Sequence, residues 1–187
     1  MNIFVLDSNH SKSVTYLCDK HVRKMTLETA QLLCNAHRML DGFEGCLQKR
    51  GNNQWVENYR FVHPTDIPDE TRFKQGPMYL MSHPFHPCTV WTIQNSSNYE
   101  WLLLYFEAIL AEFEYRFGKP HKSVELLPLL KNFPLNIRNG TLLDNVHCMP
   151  DEFKTDNTVE AYRSYYRSKQ VLMQFSYTNR KPPEWLS

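Results

Sequence analysis

Seven apolar residues between Val14 and Leu40 recur at helical spacing: Val14, Cys18, Val22, Met25, Leu32, Ala36 and Leu40. A pattern of that length and period has no strand equivalent and predicts one long helix over about 11–40. Ser8, Asn9 or Ser11 can cap its start, and Asp41-Gly42 closes it. On the same helix His21, Lys24, Glu28, Gln31 and Asn35 follow one another by three, four, three and four residues, which sets all five on one side. Leu27, Ala30 and Cys34 lie elsewhere on its circumference, so more than one face is covered. Polar residues on a largely buried helix need partners or an open cleft.

Further helical patterns follow. Tyr99, Leu102, Leu103, Phe106, Ile109, Leu110 and Phe113 form the core face of a second helix, which begins after Ser96-Ser97-Asn98 and stops near Gly118. A shorter helix is expected over 123–131, interrupted by Pro128, and a last one over about 157–175. No segment alternates with period two over any length, so the expected fold is all-α, with three principal helices in a single domain spanning 1–187. Residues 42–95 are punctuated by Gly42, Gly45, Gly51 and Gly76 and by Pro64, Pro68, Pro77, Pro84 and Pro87, and predict a loop-rich insertion or lid. The apolar start, Met1 to Leu6, is expected to be buried.

Hydrophobic residues make up 42% of the chain, enough for a proper core, and a formal net charge of +1 excludes a strongly basic nucleic-acid binder of the simplest kind. A local basic face is still present in the C-terminal third. Five cysteines, odd in number and without CxxC spacing, favour reduced thiols over a disulfide framework. No apolar stretch is long enough to span a membrane, and the N-terminus lacks the features of a signal peptide, so a cytoplasmic protein is expected.

Several residue groups suit catalysis. An α-amino group titrates near 7.7–8, well below a lysine, so the Met1 amine is a competent nucleophile toward a sugar C1′. A carboxylate at Glu28 can stabilise a cationic, sugar-like transition state and then accept a proton. His21 can orient groups or move protons, and Lys24 competes with Met1 as the nucleophile. Gln31, Asn35 and His86 are expected to line the cleft. The C-terminal Tyr162, Arg163, Tyr165, Tyr166, Arg167 and Lys169 interleave rings with cations, as nucleic-acid surfaces do; Tyr162, Arg163, Tyr166 and Lys169 are the expected DNA contacts. Alternatively, Glu28 pairs with Lys24 and the tyrosines pack in the core. His83, His86 and Cys88 in HPFHPC superficially suggest a metal, but two prolines break helical ligand spacing and no second ligand pair is obvious. Chemistry without metal or cofactor is expected, and no phosphate-binding glycine loop is present.

Asp19-Lys20-His21 followed seven residues after the histidine by Glu28, with an aromatic-cationic stretch from Tyr162 to Lys169 and a segment from His86 to Trp91 before the Tyr99 helix, resembles the phage pyrimidine-dimer DNA glycosylases with AP-lyase activity, the phage endonuclease V family. The resemblance implies an all-α fold whose N-terminal segment threads between helices. It also implies a chain-terminal amine as Schiff-base nucleophile, Glu28 as catalytic carboxylate and DNA as partner. The chain departs from the family pattern at Leu27, where the family has arginine, and at Asn2, where it has a small residue. It is also longer, mainly through 42–82. Two other functions stay open: a phage enzyme acting on a nucleotide or modified base without lyase chemistry, and a non-catalytic protein that binds a host or phage partner.

Overall fold

The computed structural model describes residues 2–186, the side chain of residue 58 apart. The chain folds as a helical body carrying a small sheet. The expected first helix is divided into α1 (His10–Thr15) and α2 (Asp19–Asp41). Asn9 caps α1 by accepting from the Lys12 amide at 3.0 Å. The break between them exposes carbonyls that one buried arginine collects: Arg116 donates to Thr15 O at 2.8 Å and to Leu17 O at 2.7 Å.

After α2 come strands β1 (Phe43–Gln48), β2 (Trp55–Val62), β3 (Ile67–Asp69) and β4 (Arg72–Lys74). They form one four-stranded sheet in the order β2-β1-β4-β3. β1 runs antiparallel to β2 and parallel to β4, and β3 and β4 are antiparallel. The fold is therefore mixed, and the all-α expectation is wrong. The strands show no period-two alternation because the sheet covers little core: Leu47 and Val62 are buried while Phe43, Glu44, Ile67 and Pro68 are exposed. Register shifts between Phe43 and Gly45 and between Gly45 and Leu47 further blur the pattern.

The remaining helices are α3 (Pro87–Gln94), α4 (Ser96–Phe117), α5 (Leu127–Leu130) and α6 (Thr158–Ser168). Asn95 and Asn157 cap α4 and α6, accepting from the Asn98 and Glu160 amides at 2.9 and 3.1 Å. Gly118 closes α4 with φ 66°, a left-handed turn that glycine adopts without penalty. α2 and α4 pack along each other, with α1 against α4 and α3 against both. Their shared core includes Val22, Met25, Leu32, Leu33, Trp91, Tyr99, Leu102 and Phe106.

Ile3, Phe4, Val5 and Leu6 are 0–4% exposed and run through this core. Their backbone groups are met by side chains: Phe4 O accepts from the Ser13 and Tyr105 hydroxyls, each at 3.2 Å, and Leu6 O accepts from Arg163 Nε at 2.9 Å. The Phe4 ring lies 5.1 Å from His21 and 5.3 Å from Tyr166. The N-terminal segment is thus clamped between α2 and α6.

Candidate active site

α2 carries the polar stripe from the surface into the interior. Lys24 is exposed; its Nζ stands 3.7 Å from Glu28 Oε1, and the Glu28 side chain keeps only 15% exposure. Glu28 Oε2 is buried and accepts no hydrogen bond from the described residues. An ionised carboxylate oxygen without a donor is costly inside a protein, and such groups concentrate where chemistry needs them. Gln31, one turn further on, is half-buried. Asn35 is fully buried and is a strap: Nδ2 donates to Ser82 O at 2.6 Å and Oδ1 accepts from the Ser82 amide at 3.1 Å. It fixes the loop that delivers His86, which is half-buried and caps α3 by accepting from the Cys88 amide at 3.2 Å. Burial lowers the His86 pKa, opposed by the Glu28 carboxylate.

His21 lies inside this wall. Its Nδ1 is 2.8 Å from the Tyr166 hydroxyl, which also accepts from the Cys18 amide at 2.8 Å. Burial, with Lys169, Lys24 and Lys20 nearby, pushes its pKa down to about 4, so the imidazole is neutral at physiological pH. Asp19, two residues earlier, is committed to structure: it pairs with Arg116 at 3.1 Å and accepts from the Thr178 amide and hydroxyl. Burial alone would raise the Asp19 pKa, but these bonds outweigh it and hold the carboxyl below its ordinary value.

The C-terminal aromatic-cationic residues are placed differently from a stacking surface. Tyr162 and Tyr166 are completely buried. The Tyr162 hydroxyl donates toward Val146 O at 2.7 Å and Asn2 Oδ1 at 3.0 Å, and that of Tyr166 serves Cys18 and His21. Neither ring can meet a base in this arrangement. Arg163 is drawn inward to Leu6 O and Asp7, and its guanidinium lies 5.3 Å from the Trp185 ring. Lys169 sits 4.1 Å over the Tyr165 ring and donates to its hydroxyl at 3.0 Å. The rings and cations of this segment mostly satisfy one another.

Asn2 is held by this tyrosine lattice. It accepts from Tyr162, and its Nδ2 donates to Cys148 O at 2.8 Å. Met1, expected to be the nucleophile, lies outside the described residues. The other cationic feature is on α2 itself: Lys20, Arg23 and Lys24, with Asp19, Gln174 and Ser176, line a surface depression of about 580 Å³, next to Glu28 along the helix. Lys20 and Arg23 were not among the residues singled out from sequence, although their exposed positions beside Lys24 follow from helical spacing. Phe85, 86% exposed at the tip of the loop before α3, was also missed; nothing in HPFHPC distinguishes it from a core ring.

The structure thus brings together a helical body, a buried segment from Ile3 to Leu6, a half-buried helical carboxylate and an adjacent cationic face. The family model for pyrimidine dimer DNA glycosylase matches residues 1–126, and the chain belongs to that family. Its activity is that of a DNA glycosylase, and its substrate is DNA. Comparison with curated proteins and with solved structures gave no match. No helix among the described residues is long and apolar enough to cross a membrane.

Proposed function

We propose that this chain excises damaged bases from DNA, with the α-amine at its start as nucleophile and Glu28 as the catalytic carboxylate. The observation that carries the reading is the buried Oε2 of Glu28, which has no donor among the described residues, in a chain of this family. The neutral amine attacks C1′; the glycosidic C–N bond breaks, its electrons leave with the base, and the base takes up a proton. The amine nitrogen then gives up one proton, the C1′–O4′ bond of the sugar ring breaks, O4′ takes up a proton, and the C1′ iminium forms. The Glu28 charge stabilises the cation that develops at C1′. The carboxylate then removes the C2′ proton, and elimination releases the 3′ phosphate. The anchoring of Asn2 to Tyr162 and Cys148 supports a chain start held in place for this task.

The rest of the site assists. Neutral His21 is a positioning residue: through Tyr166 and the Phe4 ring it holds the N-terminal segment against α2. Lys20, Arg23 and Lys24 meet phosphates, which sets register without reading bases. Phe85, exposed in the loop before α3, fills the stack that an extruded nucleotide leaves; its exposure supports this role.

Borohydride trapping on duplexes containing a pyrimidine dimer or an abasic site tests the reading. A covalent adduct is expected, lost when the N-terminal amine is blocked and retained in Lys24→Ala. An adduct that survives the block and disappears in Lys24→Ala would transfer the nucleophile to Lys24. No adduct with either DNA overturns the proposal.

A further inference from the structure

We propose that His86, Cys88 and Cys148 form a zinc site that binds the loop before α3 to the C-terminal part of the chain. The ligand atoms of these three residues all lie within 4.8 Å of one another. The two sulfurs are 3.4 Å apart, and both thiols are free. With Zn–S bonds of about 2.3 Å, tetrahedral geometry sets two sulfurs roughly 3.8 Å apart, so a small opening of the pair admits the ion.

The donors are positioned by bonds that leave both sulfurs available. Pro87 starts α3 and Cys88 follows it, its amide donating to the His86 ring. Cys148 is fixed on both sides of its Cα: its amide donates to the Tyr162 hydroxyl at 3.4 Å, and its carbonyl accepts from Asn2 at 2.8 Å. Two thiolates and one imidazole select a soft, tetrahedral ion over magnesium, calcium or manganese. Loading zinc releases the two thiol protons. Three protein donors leave a fourth position for water or another group.

HPFHPC alone holds only one part of the set. His83 is exposed, with φ 52°, and its Nδ1 lies 2.7 Å from the Ser82 hydroxyl, while the third donor is 60 residues beyond Cys88. Cys148 also lies outside the family match, which ends at residue 126. The set thus joins the matched part of the chain to the part beyond it, and its test reads metal binding and not base excision.

Cobalt titration of the reduced full-length protein, followed by zinc competition, tests it. One cobalt ion per chain with thiolate-to-metal charge-transfer absorption is expected, displaced by zinc. The absorption is lost in Cys148→Ser and Cys88→Ser, weakened in His86→Ala and kept in His37→Ala, because His37, Asp41 and His63 form the other donor cluster among the described residues. If a cysteine variant fails to fold, X-ray absorption on the zinc-loaded wild type reads the donors directly, with two sulfurs and one nitrogen expected. A shell of nitrogen and oxygen only, a band that survives Cys148→Ser, or a reduced protein that binds no cobalt overturns the proposal. So does a Cys88–Cys148 disulfide that persists in reductant.

Discussion

Arg38 and Asp66 meet in a two-point ion pair, at 2.9 and 3.0 Å, with both side chains wholly shielded from water. Arg38 belongs to α2 and Asp66 to the turn before β3, so the pair bolts the sheet to the helical body. Its remaining donors reach Tyr79 O and Phe61 O, each at 2.7 Å, and Asp66 also accepts from the His63 and Gly76 amides. A Cβ at Gly76 would collide with the Thr65 carbonyl, so only glycine lets this turn close. Asp66→Ala leaves a buried guanidinium uncompensated and is expected to cost about 3–5 kcal/mol. Urea unfolding measures it; a loss below about 1 kcal/mol would show that water or another acceptor replaces the carboxylate.

Acid should loosen the helical body before it affects the surface. Burial pushes both His21 and His37 down to about 4 in the folded protein, against about 6.5 unfolded. Between those values the unfolded chain binds more protons, so stability rises with pH. The contribution is fully present above about pH 6.5 and is lost as pH falls toward 4, a loss on the order of a few kcal/mol for the pair. Melting temperature measured across this range in wild type, His21→Asn and His37→Asn checks it. Each variant should flatten the profile, and a wild-type profile that is already flat contradicts the burial of these rings as neutral species.

Glu28→Gln separates chemistry from folding. Removal of a positioned acid/base is expected to slow base excision about 10²–10⁴-fold under single-turnover conditions. Stability should hardly change, because Oε2 has no partner among the described residues and the exposed Lys24 contact is worth about 0.5 kcal/mol or less. A large fall in melting temperature, or an unchanged rate, would return Glu28 to a structural role.

The cationic face of α2 is read through salt. Lys20→Gln combined with Lys24→Gln should reduce the slope of log affinity against log salt by about two for duplex DNA, whether or not the duplex carries damage. Arg23 lies 4.3 Å over the Phe117 ring and is left unchanged because that contact already engages it. An unchanged slope would move the phosphate contacts to another surface.

Three helices were legible in the sequence because each has a long apolar face: the stripe on α2, the core face of α4 and the Asn157 start of α6 appear where spacing places them, whereas α3 falls inside the stretch read as a loop-rich insertion. The sheet was not. Its strands have mostly half-exposed sides, so the alternation that marks a strand over a core is missing. A trace was present: Gly51, φ 98°, and Asn53, φ 55°, form the turn that precedes the aromatic and β-branched segment Trp55–Val62. The break between α1 and α2 was also hidden, since it depends on Arg116, distant in sequence, accepting custody of two released carbonyls. The stripe's shared side was readable; its division into an exposed Lys24, a half-buried Glu28 and a buried Asn35 depends on what packs over each. The tyrosines of α6 show the same limit, because spacing cannot reveal that Phe4 and Asn2 occupy the surface they would otherwise present.

That occupation separates kinship from self-sufficiency. The family match stops at residue 126, yet the lid over Phe4 comes from Tyr162, Tyr165 and Tyr166, and the latch on Asp19 comes from Thr178. A fragment trimmed to the inherited portion would strip the opening segment of its roof and leave Asp19 and Glu112 short of their Thr178 and Arg180 partners. The third of the polypeptide beyond residue 126 is a wall of the house, and removing it should leave an enzyme that cannot hold its opening segment indoors.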